Sequence, residues 1–131
     1  MKLKLLIVDD DVAVTQQLYW ALCDSYDVVT SNDLQSAIRR IAVYEPALAI
    51  LDLHLPPTTD SPVAGLQILD YMKRRLPKSK VLILSSSIDP ATREACLNSG
   101  ADEVLSKPVE TELLISALLR HSKQDSGGVM I

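Results

Sequence analysis

Short apolar runs bounded by turn formers recur along the chain, at Leu5 to Val8, Val28 to Val29, Leu48 to Leu51, Val81 to Leu84 and Val104 to Leu105, each sized for a buried strand. Between them the apolar positions change to a helical period. Val14, Leu18, Ala21 and Leu22 share one face of a first helix, and Leu34, Ala37, Ile38 and Ile41 one face of a second. Leu66, Leu69, Met72 and Leu76 mark a third helix, and Leu113, Ala117 and Leu118 the last. Asn32 and Asp33 offer an N-cap to the second helix, while Asp89-Pro90 supplies a cap and a first-turn proline for a fourth, which Gly100 could end. Strand followed by helix, five times over, needs crossover connections. The pattern therefore predicts a parallel sheet with right-handed crossovers and helices on both faces, a doubly wound α/β fold. Such sheets bind ligands beyond the carboxyl ends of their strands, near the point where strand order reverses.

Two stretches break the pattern. Pro56 to Val63, rich in Pro, Thr and Asp, is a long loop after the third strand, and its Thr58 and Thr59 read as turn formers. The run from Ser122 through Ser126-Gly127-Gly128 reads as a flexible tail or the start of a linker, so the expected division is a domain over 1–121 and a tail over 122–131. A chain of 131 residues holds one shared core, and 47% hydrophobic with 23% charged residues is a globular composition.

The formal net charge of -4 gives no positive field to draw the chain to nucleic acid or anionic lipid. Asp9, Asp10 and Asp11 cut the N-terminal apolar run short of a signal peptide's core, and no apolar run approaches the roughly 20 residues of a membrane span. Cys23 and Cys96 lack metal-ligand spacing and read as small buried apolar residues, which fits a reducing, cytoplasmic setting.

Polar residues follow four of the apolar runs abruptly: Asp9 and Asp10 after the first, Asp52 after the third, Ser85 after the fourth and Lys107 after the fifth. In a parallel sheet those ends converge. Carboxylates placed together raise one another's pKa unless a cation joins them, and a hard divalent ion such as Mg²⁺ suits oxygen ligands that leave room for water and a phosphate. A carboxylate can also act as a nucleophile toward phosphorus when the oxygens of the transferring group are neutralised. Lys107 can supply that cation and Ser85 a hydroxyl donor.

These residues resemble the receiver domain of two-component response regulators, over Leu3 to Arg120. The likeness rests on Leu6-Ile7-Val8-Asp9-Asp10-Asp11, Leu51-Asp52-Leu53-His54-Leu55-Pro56, Leu84-Ser85-Ser86, Gly100-Ala101 and Lys107-Pro108, in order and on the right elements. It implies a flavodoxin-like five-stranded sheet of order 2-1-3-4-5, and Asp52 as the phosphoacceptor. Asp10 and the His54 backbone carbonyl would join Asp52 around Mg²⁺, with Asp9 ligating directly or through water. Ser85 and Lys107 would grip the phosphoryl oxygens, and a cis peptide before Pro108 would aim Lys107 inward. The phosphoryl donor would be a sensor histidine kinase, a phosphotransfer protein or a small acyl phosphate. Output would run through the face built by the fourth helix, fifth strand and fifth helix, to a C-terminal effector domain or a homodimer partner, with no direct nucleic-acid contact and no membrane. The domain would be regulatory, catalysing only its own phosphotransfer and slow dephosphorylation.

The sequence departs from the family pattern in places. Val104 stands where an aromatic toggle is usual, and Val109 where a phenylalanine often follows the proline. The loop before Gly65 is about five residues longer than the common form, a modest entropic cost. Its Leu55-Pro56-Pro57-Thr58-Thr59-Asp60 is similar to receivers heading some enhancer-binding activators. His54 and Ser87, with Ser86 beside it, occupy positions that vary in the family with phosphate lifetime.

Other readings of the same residues stand beside these. The Asp9–Asp11 run can serve only to cap the first helix, an effect of about 0.3–1 kcal/mol. Tyr19 and Trp20 read as packing residues, and His121 as a charge partner at a helix C-terminus. A receiver-like docking module working without phosphorylation is the alternative function, which the missing aromatic allows. A haloacid-dehalogenase-type phosphohydrolase needs a second aspartate two places after its nucleophile, where this chain has His54. A flavodoxin-type flavin binder needs a hydroxyl-rich first loop, where this chain has three aspartates.

Overall fold

The structure, a computed structural model, describes residues 2–56, 61–86 and 88–127, with side chains to Ser122. Five strands alternate with five helices: β1 (Lys4–Val8), α1 (Val12–Leu22), β2 (Asp27–Ser31), α2 (Leu34–Tyr44), β3 (Leu48–Leu51), α3 (Val63–Arg75), β4 (Lys80–Ser85), α4 (Pro90–Asn98), β5 (Glu103–Ser106) and α5 (Thr111–Gly127). All pairings are parallel, in the order β2-β1-β3-β4-β5. The doubly wound α/β fold and the strand order are therefore as expected.

Side-chain alternation builds two cores. Leu6 and Val8 of β1, with Ala49 and Leu51 of β3 and Val81 and Ile83 of β4, pack under α2, α3 and α4. Leu5, Ile7, Leu48, Ile50, Leu82 and Leu84 point to the other side and meet α1 and α5. With both faces covered, the central strands read as continuous apolar runs. Among the described residues no helix is long and apolar enough to cross a membrane.

Local chemistry sets the helix ends. Asp11 caps α1, accepting from the Ala13 amide, and Asp33 caps α2, accepting from Ser36. Asn32, the other candidate for the second cap, is turned elsewhere. Asp89 and Pro90 open α4 as expected, and Gly100, at φ +106°, follows the cap residue Ser99 in the left-handed conformation that stops a helix.

Several inward and outward assignments need correction. On α1 Ala21 is exposed, and Trp20 is 73% exposed with the Tyr19 ring set edge-on against it at the surface, so neither aromatic packs in a core. On α5 Ala117 and Leu118 are buried as expected, but their companion is Leu114, while Leu113 is 60% exposed. Cys96 is buried, but Cys23 is half-buried because it closes α1 at its C-cap. The irregular reading of Ser122 is also corrected: the helix continues to Gly127, and the Ser122 hydroxyl donates to the Leu118 carbonyl and meets the Tyr26 hydroxyl. Thr58, Thr59 and Ser87 lie outside the described residues.

Gly65, on the first turn of α3, sits against the chain just beyond β3. Its amide donates to the Leu53 carbonyl at 3.1 Å, and a Cβ at this position would overlap the Leu53 backbone. Gly65→Ala must push α3 away from the segment that carries Asp52 and His54. Such overpacking costs about 2 kcal/mol, and thermal unfolding of the variant is expected to show a matching fall in Tm.

Candidate functional site

The order β2-β1-β3 means that the chain leaves β1 toward one side and returns to β3 on the other. The carboxyl ends of these two strands therefore flank the point of reversal. Backbone pairing runs on past the strands and fixes the residues there. The Asp9 amide donates to the Ser31 carbonyl (3.1 Å), the Asp52 amide to the Val8 carbonyl (2.9 Å) and the Lys107 amide to the Ser85 carbonyl (2.9 Å). Each strand end thus holds its neighbour's first polar residue in place.

Asp9, Asp10 and Asp52 each bring a carboxylate oxygen to within 4.8 Å of the others. Asp9 and Asp52 are buried and Asp10 is exposed, so the group opens to solvent on one side. The Lys107 Nζ lies 2.6 Å from Asp9 Oδ2 and 3.5 Å from Asp52 Oδ2. The peptide before Pro108 is cis. Ser85 is fully buried, its Oγ 3.4 Å from the His54 Nδ1, and the His54 amide donates to Asp52 Oδ1 at 3.3 Å. Asp9, Asp10, Asp52, Ser85 and Lys107, the strand-end residues singled out in the sequence, are thus brought together.

Burial pushes the Asp52 carboxyl above its usual pKa, with Asp9 and Asp10 adding repulsion against the pull of Lys107. Asp10 is also raised, first by burial and then by the Asp9 charge. For Lys107 burial works against the ammonium, but its bond to Asp9 and the charges of Asp52 and Asp9 outweigh this and raise its pKa. Three acids facing one ammonium leave an excess of negative charge in a partly dry pocket. That is the electrostatic condition a hard cation relieves.

Helix capping accounts for one member of the acidic run only. Asp11 caps α1, while Asp9 Oδ1 accepts from the Asp11 amide at 3.0 Å and its other oxygen faces Lys107. Val104 is buried among the α4-side core residues. Two contacts were not foreseen in the sequence. One is the His54 ring on Ser85. The other is the Asn32 side chain, which donates to the Asp9 carbonyl at 2.8 Å. A polar pair at the end of β2 signalled a special residue there, but not which way each member would turn.

Residues 5–119 match the family described as the response regulator receiver domain. The chain is 31% identical over 131 residues to the response regulator MprA of Mycolicibacterium vanbaalenii, covering 97% of this chain and 54% of that protein. It is 28% identical over 127 residues to the alkaline phosphatase synthesis transcriptional regulatory protein PhoP of Bacillus subtilis, covering 94% and 51%. The chain thus spans about half the length of the curated relatives it matches. In fold it is similar to a CheY-like response regulator receiver domain protein from Methanospirillum hungatei, with a TM-score of 0.85 at 24% identity over 97% of this chain and 99% of that one. Sheet order, converging strand ends and a family match over nearly the whole length agree: the chain belongs to the response regulator receiver domains, regulatory domains of two-component systems.

Proposed function

We propose that the domain receives a phosphoryl group on Asp52, with Mg²⁺ as cofactor, and passes the change to a partner through its α4–β5–α5 face. The observation that carries this reading is the gathering of the Asp9, Asp10 and Asp52 oxygens within 4.8 Å, with Lys107 beside them. The donors fit the ion: all are hard oxygens, and one side is open to water, as Mg²⁺ prefers. Asp9, Asp10, Asp52 and the His54 backbone carbonyl would hold it. Bound there, Mg²⁺ would neutralise charge on the phosphoryl oxygens.

The chain's own residues do the rest. An ionised Asp52 oxygen attacks phosphorus, forming a P–O bond while the bond to the donor breaks and its electron pair leaves with imidazole or carboxylate. Lys107 moves from Asp9 toward the incoming phosphoryl oxygens, and Ser85 donates its hydroxyl to one of them, trading the long contact with His54. Ser86 and the chain beyond it toward α4 follow Ser85. With Val104 in place of an aromatic, that stretch carries the switch to the α4–β5–α5 face.

The donor in this reading is a sensor histidine kinase or a phosphotransfer protein, and the site is cytoplasmic. Residues 1–121 form the working domain and 122–131 a tail or the start of a linker, its first six residues continuing α5, and the partner is a C-terminal effector domain or a second copy of the domain. The name of the PhoP relative, a transcriptional regulatory protein, supports an output in transcription. The net charge of -4 speaks against direct nucleic-acid binding by this domain.

Titration with beryllofluoride in the presence of Mg²⁺, followed by amide NMR, tests the reading. Saturable shifts around Asp52 that vanish in Asp52→Ala are expected. If Mg²⁺ and beryllofluoride leave the spectrum unchanged, the reading fails and the docking module takes its place, allowed as it is by Val104.

A further inference from the structure

Asn32 follows β2 directly and precedes Asp33, the residue that caps α2. Having no cap to make, its carboxamide reaches across to the β1–α1 turn. Nδ2 lies 2.8 Å from the Asp9 carbonyl oxygen and 3.4 Å from Thr15 Oγ1. A carbonyl oxygen can only accept, so the partner itself fixes which end of the amide faces it. The Thr15 hydroxyl, buried, donates in turn to the Val12 carbonyl at 2.9 Å. Asp9 is thereby held at both backbone groups and at its side chain: its amide on Ser31, its carbonyl on Asn32, and one carboxylate oxygen on the Asp11 amide at the start of α1.

We propose that Asn32 is a positioning residue for the divalent-cation site, locking the Asp9–Asp10 turn so that both carboxylates face Asp52. This rests on the reading that these carboxylates hold Mg²⁺. The physical reason is preorganisation. Three carboxylates that repel one another will spread if their backbone is free to move, and each ångström of spread must be recovered when a cation gathers them. A donor seated on the carbonyl between the two aspartates resists that movement. Supports of this kind beyond the ligands themselves are worth 10–100-fold in metal affinity.

Calorimetric titration of Mg²⁺ into the whole chain is the test, run beside thermal unfolding in chelator. Asn32→Ala is expected to weaken Mg²⁺ binding about tenfold. Asn32→Asp, which keeps the shape but sets an acceptor against the carbonyl, should weaken it further. With acetyl phosphate as donor, labelling of Asn32→Ala at saturating Mg²⁺ should recover toward the unaltered rate, the loss lying in the Mg²⁺ requirement. Asp33→Ala, which removes a helix cap one residue away, should lower Tm and leave the Mg²⁺ constant within about twofold. If Asn32→Ala folds poorly, Asn32→Ser, with a small polar group in the same place, carries the same expectation. Unchanged Mg²⁺ affinity in the folded variant overturns the proposal alone. Absence of saturable Mg²⁺ binding by the unaltered chain overturns the parent reading and this one with it.

Discussion

Lys107→Ala is expected to lower stability by about 3 kcal/mol at neutral pH in chelator, because removing one partner of a buried ion pair strands the other. Asp9 is the stranded group. Its side chain is 4% exposed and its Oδ2 lies 2.6 Å from the ammonium, with Asp10 and Asp52 close by and no other ion pair to it among the described residues. The pH dependence has a definite sign. The folded chain holds the Lys107 proton more tightly than the unfolded chain does, so the stabilisation is complete below the ordinary lysine value of 10.5 and is lost as pH rises through the raised folded value. In the variant, acid should narrow the deficit, since protonating Asp52 and Asp10 removes the repulsion Lys107 had offset. Mg²⁺ should narrow it as well. Phosphoryl labelling from acetyl phosphate should fall by roughly 100-fold, the scale of losing one charge-stabilising donor in a preorganised site. Chemical denaturation at two pH values, with and without Mg²⁺, reads the first part, and intact-mass kinetics the second. A variant as stable as the parent in chelator would mean that the pair contributes nothing and that Lys107 sits there for another reason.

What the sequence reveals and what it hides divide along a physical line. The central strands were legible because burial on both faces makes them uninterrupted apolar runs: Leu48–Leu51 coincides with β3, and Leu5–Val8 falls one residue short of β1. The edge strand β2 was shortened to Val28–Val29, since Asp27, Thr30 and Ser31 are polar and only its pairing with β1 reveals them as strand. Helix faces fared less well where a side chain's direction depends on the neighbour it meets. Leu113 and Leu114 are neighbours of one residue type, and only the packing of α5 against β1 and β4 shows that Leu114 goes inward.

Polar residues were hardest, because their roles depend on partners distant in the chain. His121 is buried within α5 rather than set at its end, and its Nε2 meets the Glu103 carboxylate across 18 positions. Asn32 and Asp33 are both good caps by type, and the contact of Asn32 with Asp9, 23 positions away, separates them. The site itself was readable for the opposite reason. Parallel strands bring their carboxyl ends together whatever the helices do, so a polar residue right after an apolar run is placed by topology alone.

The same crowding that suits Asp52 to its proposed role should make it costly to the fold, and Asp52→Asn measures that cost. The carboxyl is buried and stands among Asp9 and Asp10, so its pKa in the folded chain is raised despite Lys107. A raised acid binds its proton more tightly when folded, so between the unfolded and folded values stability falls as pH rises. Above that window the ionised Asp52 is a standing penalty. Replacing it with the neutral amide removes the buried charge and the repulsion, while Lys107 keeps its shorter bond to Asp9. In chelator at neutral pH, Asp52→Asn should therefore be more stable by about 1 kcal/mol, the usual gain from relaxing a strained functional group. Below the ordinary carboxylate range the advantage should disappear, because the native carboxyl is then neutral too. Adding Mg²⁺ should shrink the advantage at neutral pH, since the unaltered chain gains from binding more than the variant does, and labelling at this position should be absent. A variant less stable than the parent at neutral pH would reverse the sign. It would mean that Lys107 favours the ionised Asp52 by more than burial opposes it, and that the pocket needs no metal to be at rest.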